Sequence, residues 1–233
     1  MPHPPNRFPA APGSVLSSGA MKSLLTAVGF LAAAIASPAN DYQLKTVQVL
    51  PIESYPARVT IGGITIAADP YSTDERSFTA FDIKDLNSHG YFPVHVIIQN
   101  SSPNFVTLRI RNVVLVTSAG QELYTTSATI VVQDVVKAGF VSKLPKMKSH
   151  DQSTSTKTGS PLLDFTGKEL VNRQIEPGSV SAGFIFFYSP EPKKPFFTGS
   201  RLVIPALMDE GTRKVIGPFS IPLDPALPAA QAR

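Results

Sequence analysis

The sequence predicts an all-β domain: an immunoglobulin-like antiparallel β-sandwich with a short helical insertion. Three observations predict it. Apolar residues recur with a period of two, at Val94, Val96 and Ile98 and again at Val106, Leu108 and Ile110. Turn-forming clusters separate such runs, as in Asn100-Ser101-Ser102-Pro103-Asn104 and Ser118-Ala119-Gly120. The composition, with 22 Pro, 15 Gly, no Cys and 16% charged residues among 233, suits an exported β-domain better than a helical cytosolic enzyme.

The N-terminus reads as targeting sequence. Residues 1–20 carry no periodic apolar pattern and are a leader or a misassigned start. Met21-Lys22 opens a second start. Leu24 to Ala36 follows, 13 residues that are apolar apart from Thr26, with Gly29 among them. A bilayer-spanning helix needs about 20 residues, so this run has the length of a signal-peptide core. Small residues place cleavage after Ala36 or Ala39. Residues 21–39 are thus a predicted signal peptide, and the domain is predicted over 40–223. The chain is expected to be secreted or periplasmic. With no Cys in it, there is neither a disulfide framework nor a lipidation site.

Leu44 to Leu50 is the first predicted strand and Arg58 to Ala67 the second. The parity of apolar residues in the second flips across Gly62-Gly63, which predicts a bulge or a tight turn there. Asp69, Asp74 and Glu75 suggest a calcium loop, but the spacing misses the EF-hand pattern and favours a solvated loop. Phe78, Phe81, Ile83 and Leu86 fit a short helix or irregular cover.

Tyr91 to Val116 organises the domain. Two strands of this length cannot stand alone, so the rest of the chain must cover them. They form a hairpin or cross between facing sheets, and sequence leaves both open. Gln121 to Thr125 is a further strand. Ser127 to Gly139 predicts a helix with Ser127 as N-cap, Gly139 at C′ and a face of Val131, Val132, Val135 and Val136. Lys143 to Pro161 is polar and turn-rich and predicts a long exposed loop. Thr166-Gly167-Lys168-Glu169 matches a capping box and predicts a helix to about Arg173. Together, 127–173 is the predicted insertion. Ser181 to Tyr188 is an apolar strand with Phe184, Phe186 and Tyr188 on one face. Arg201 to Leu207 and Lys214 to Leu223 complete the set, and 224–233 is a predicted frayed tail. Val96, Ile98, Leu108, Ile110, Phe184 and Phe186 are expected in one core, with Arg109 outside it.

Val94-x-Val96-x-Ile98-x-Asn100-x-Ser102, followed by Pro177-Gly178-Ser179-Val180-Ser181-Ala182-Gly183-Phe184-Ile185-Phe186-Phe187, resembles bacterial exported immunoglobulin-like proteins and lipoproteins, most of them uncharacterised. The resemblance covers Tyr91 to about Leu223. It implies the fold and an exported location, and it brings no catalytic, binding or cofactor residues with it. The chain departs from the lipoprotein members in lacking the lipidated Cys.

The remaining chemistry is sparse. Once Arg7 and Lys22 leave with the leader, a net charge of about +2 is spread over the chain and gives no nucleic-acid footprint. No G-x-S-x-G elbow, H-E-x-x-H motif, phosphate loop or dinucleotide fingerprint is present. The histidines of the predicted domain are His89 in a turn, His95 on the outward side of a strand, and His150 in the cluster Met147-Lys148-Ser149-His150-Asp151. Lys137, Lys143, Lys146, Lys148 and Lys157 tilt the insertion basic, as an anionic surface or plain solvation would require. Two functions follow. The first is a non-catalytic exported protein that binds a protein or cell-envelope component, without catalytic, cofactor or metal residues. The second is a small extracytoplasmic hydrolase or metal-binding protein using His150 or His95.

Overall fold

A two-residue turn sets up the first pairing of the domain. Gly62 and Gly63 both adopt positive φ, 56° and 78°. That is the backbone twist a tight antiparallel hairpin needs, and glycine reaches it without strain. The turn joins β1 (Arg58–Ile61) to β2 (Ile64–Pro70), with Ile61 opposite Ile64. Of the bulge or tight turn expected at Gly62-Gly63, the tight turn forms, and it divides the segment Arg58 to Ala67 between two strands. The structure, a computed structural model, describes residues 42–135, 160–192 and 196–228. These lie within one compact unit, Ala39–Arg233. The predicted leader, the signal segment and most of the 143–161 loop fall outside the described residues.

After β2 come α1 (Asp74–Ala80), β3 (Tyr91–Asn100), β4 (Val106–Leu108), β5 (Val114–Val116) and β6 (Glu122–Thr126). Then come α2 (Ala128–Val135), α3 (Pro161–Lys168), β7 (Arg173–Ile175) and β8 (Val180–Tyr188). The chain closes with β9 (Arg201–Ile204), β10 (Leu207–Asp209), β11 (Val215–Ile216) and β12 (Phe219–Pro222). The fold is all-β, with antiparallel pairing throughout its named strands. One sheet has eight strands in the order β1-β2-β3-β8-β6-β5-β9-β12, and a second has four, β11-β10-β4-β7. The large sheet is barrel-like: its first and last strands, β1 and β12, come within 8 Å of each other. Two flat facing sheets would leave those edges apart.

β3 and β4 do not form a hairpin. β3 pairs with β2 and β8 in the large sheet, and β4 pairs with β10 and β7 in the small one. The turn between them carries the chain from one sheet to the other. Asn100 holds it. Its side-chain amide donates to the carbonyls of Asn104 and Ile175, and its side-chain oxygen accepts from the Ser102 amide and hydroxyl. Its backbone pairs with Ser179 and Gly178. The segments Asn100-x-Ser102 and Pro177-Gly178 thus meet in space. They secure one corner of the fold.

The large sheet is buried on both faces along β3 and β8. Val94, Val96 and Ile98 of β3 and Ile185 and Phe187 of β8 face inward, toward Val106 and Leu108 of the small sheet. On the outer face Phe184 and Phe186 pack with Phe81, Phe165, Tyr71 and the valines of α2. The expectation of one core holding both Val96 and Phe184 is therefore corrected: the two lie on opposite faces. Arg109 is exposed, as expected, and Ile110 packs at the margin of the inner core. The outer layer is sealed by a polar lock. The Tyr42 hydroxyl donates to Asp164 at 2.6 Å, and Lys168 pairs with the same carboxylate at 2.7 Å.

Several local expectations are also corrected. Leu44 to Leu50 forms no strand, and Leu44, Val49 and Leu50 are exposed, because no neighbour offers this segment a ladder. Asp69 to Glu75, expected as a solvated loop, is only partly one: Asp69 lies in β2 and binds Arg76 at 2.6 Å, while Thr73 caps α1 by accepting from the Arg76 amide. Thr166 lies inside α3 and donates to the Leu162 carbonyl, so it is no N-cap, and the helix ends at Lys168. Glu169 instead accepts from the Ala128 amide and caps α2 from 41 residues away. The start of the expected tail is packed: Asp224–Ala226 forms a 3-10 turn and Leu227 is 8% exposed. Gly139, the expected end of the second helix, lies outside the described residues.

Candidate functional site: a tyrosine-walled cleft

One end of the large sheet opens as a cleft. Tyr91 begins β3 and Tyr188 ends β8, and the two are register partners. Cross-strand partners share a sheet face, so both rings point the same way. Their centroids are 5.3 Å apart at an interplanar angle of 50°. Tyr91 is buried, whereas Tyr188 is 46% exposed. Thr126 ends β6 beside them. α2 then turns its Val131, Val132 and Val135 into the outer core, which leaves Ile130 and Asp134 on its other side. A spacing of four residues puts those two on one helical face. His89, in the turn before β3, completes the wall. The six residues surround about 560 Å³, a volume within the range of small-ligand sites.

The Tyr91 hydroxyl donates to Asp134 Oδ2 at 2.5 Å. Burial pushes the Tyr91 phenol up from its usual range, and the hydrogen bond to Asp134 adds to the shift. Tyr91 therefore stays a protonated donor that orients the carboxylate. His89 Nε2 lies 3.4 Å from Asp85 Oδ2. Asp85 Oδ1 is buried and has no hydrogen-bond donor among the described residues. The wall thus offers two aromatic rings, an exposed isoleucine, a hydroxyl, an imidazole and a carboxylate.

No family model matches the chain. No curated protein matches it. Among solved structures, the chain is similar to the yjhA protein of Bacillus subtilis at 10% identity, covering 64% of this chain and 78% of that chain with a TM-score of 0.34. That likeness is too loose to argue from.

Of the described histidines singled out from sequence, His89 reaches the cleft and His95 does not. His95 is not on the surface. It is 4% exposed and stacks on Phe184 at 4.7 Å in the outer core. Burial lowers its pKa to about 4, with the nearby Arg76 adding to the effect, so it is neutral at pH 7. No group of three or more His, Asp or Glu among the described residues is placed to hold a metal. His150 and Lys137, Lys143, Lys146, Lys148 and Lys157 lie outside the described residues.

Tyr91, Thr126, Ile130, Asp134 and Tyr188 were not legible as site residues. Tyr188 gave one available signal: a large aromatic at the end of a strand, where the sheet stops covering it.

Proposed function

We propose that this chain is an exported, non-catalytic binding domain related to the immunoglobulin-like exported proteins, and that it holds a partner protein or an envelope component in the cleft between β3, β8 and α2. The observation that carries the reading is the pairing of Tyr188, half open to solvent, with the buried Tyr91. Tyrosine supplies contact area at low entropic cost and keeps a polar tip, which is why it recurs at binding surfaces. The signal-like run Leu24 to Ala36 supports export. Among the described residues no helix is long and apolar enough to cross a membrane. The meeting of Asn100 with Gly178 supports the relation to the exported family.

The test is NMR of the 40–233 protein titrated with peptidoglycan fragments and with peptides. Shifts at Tyr91, Thr126, Ile130 and Tyr188, with every ligand recovered chemically intact, are the expected result. Turnover of a ligand, or shifts confined to the far end of the sheet, would sink the reading.

A further inference from the structure

We infer that Leu44 to Leu50 is an open strand edge that pairs antiparallel with the same segment of a second copy of this chain. The inference uses none of the cleft residues and stands apart from the binding reading. From Tyr42 to Leu50 the chain runs without helix, turn or bend. It is pinned along its length. The Gln43 amide donates to Asp82 Oδ2 at 2.8 Å, and Lys45 pairs with Asp82 at 3.3 Å while lying over the Phe78 ring. The Leu50 amide donates to the Tyr55 hydroxyl at 3.0 Å. Its side chains alternate as a strand's do. Lys45 and Val47 are half-buried, Val47 against the outer core, while Leu44, Thr46, Gln48 and Leu50 are exposed, as is Val49. The ladder alone is missing: the backbone amides and carbonyls of Lys45 to Val49 have no hydrogen-bond partner among the described residues. A segment fixed in this way, with its backbone groups open, is a template for another strand, and part of the ordering cost of pairing is already met.

The occupant follows from the residues of the edge. A two-fold axis at Val47 sets Leu44 against Leu50, Lys45 against Val49 and Thr46 against Gln48. Leu44 and Leu50 are 63% and 46% exposed, so each copy covers apolar surface that the other leaves in water. The one charge, Lys45, is already paired with Asp82 and meets a valine instead of its own image. A ribbon this short is smaller than a standard interface, so the dimer is expected to be weak.

The test is sedimentation equilibrium of the 40–233 protein, from about 10 µM to about 1 mM. A reversible monomer–dimer equilibrium is expected, with the amides of Lys45 to Val49 exchanging more slowly with solvent as the dimer forms. Leu44→Lys and Leu50→Glu are each expected to weaken dimerisation about fivefold or more. An equimolar mixture of the two variants sets a lysine against a glutamate at one pair and leucine against leucine at the other. It is expected to associate about fivefold more tightly than either variant alone. Both positions are exposed, so an unchanged urea midpoint for each variant is the folding control. A monomer throughout the concentration range, dimerisation untouched by either substitution, or a mixture no tighter than its components overturns the inference. So does slowed exchange at these amides when a Thr-Val repeat peptide is added to a protein that stays monomeric, since that gives the edge to a different chain. None of these outcomes bears on the cleft titration.

Discussion

The side-chain amide of Asn100 donates to the Ile175 carbonyl at 3.0 Å, joining residues 75 apart in the chain. Three more bonds on the same side chain, to Asn104 and Ser102, hold the crossover between the two sheets. Asn100→Ala takes the side-chain donor from the buried Ile175 carbonyl and the side-chain acceptor from the buried Ser102 amide, and each unmet group costs about 1–3 kcal/mol. The expected loss is roughly 3 kcal/mol or more in a urea titration. Gln99→Ala, next along the strand but with only a weak surface contact, should stay within about 0.5 kcal/mol. Similar losses for both would show that the corner is not held by Asn100.

Gly183 has no room for a side chain. A Cβ there would lie 2.8 Å from Leu170 Cα and 2.9 Å from its backbone nitrogen, both unable to swing aside. The close approach lets the Leu170 amide donate to the Phe184 carbonyl at 2.7 Å, which ties the end of the insertion to β8. Gly183→Ala should cost about 1–3 kcal/mol through overpacking. A wild-type urea midpoint for this variant would refute the tight contact.

Phe184 is buried in the outer core and Arg109 is exposed. Phe184→Ala should cost about 3–5 kcal/mol, and Arg109→Ala within about 0.5 kcal/mol. Near-UV circular dichroism should also show the tyrosine signal of Phe184→Ala altered, because Tyr71 meets the Phe184 ring edge-on at 5.1 Å. Equal unfolding midpoints for the two variants would contradict the assigned faces.

His95 makes stability depend on pH. Its pKa falls from 6.5 in the unfolded chain to about 4 in the fold. The stability tied to neutral His95 is whole above pH 6.5 and is lost as pH drops toward 4, by up to roughly 3 kcal/mol. Asp69, its partner across the β2–β3 pair, has a pKa raised chiefly by burial, with Arg76 opposing, so its contribution runs the other way. The difference between wild type and His95→Leu isolates the histidine. Thermal unfolding from pH 7 to pH 4 should fall more steeply for wild type. Parallel curves would mean that His95 is not held neutral.

Most strands could be read from the sequence because alternation survives in them. Val106-Thr107-Leu108 announces its buried face, and so does Phe219-Ser220-Ile221. Phe184-Ile185-Phe186-Phe187 does not, since a continuous apolar run in a strand covered on both sides carries no parity. The two aromatics were assigned to the wrong side for that reason. His95 misled in the same way: polarity suggested solvent, whereas it is buried and stacked on Phe184. Leu44 to Leu50 alternates but lacks a partner strand, and pattern alone cannot supply one. The cleft was illegible because five separate pieces build it: one turn, three strand ends and one helix face. None of these pieces carries a motif of its own.

β3 and β8 serve as the inner wall for the barrel-like core and, on their reverse, as the floor for α1, α2 and α3. A floor shared in this way denies the helical layer any independent melting. If the helices lift, Phe184 and Phe186 are wetted. If the barrel opens, the helices lose the surface they rest on. The molecule should therefore come apart in one step, with ellipticity, tyrosine fluorescence and calorimetric heat tracing a single coincident transition.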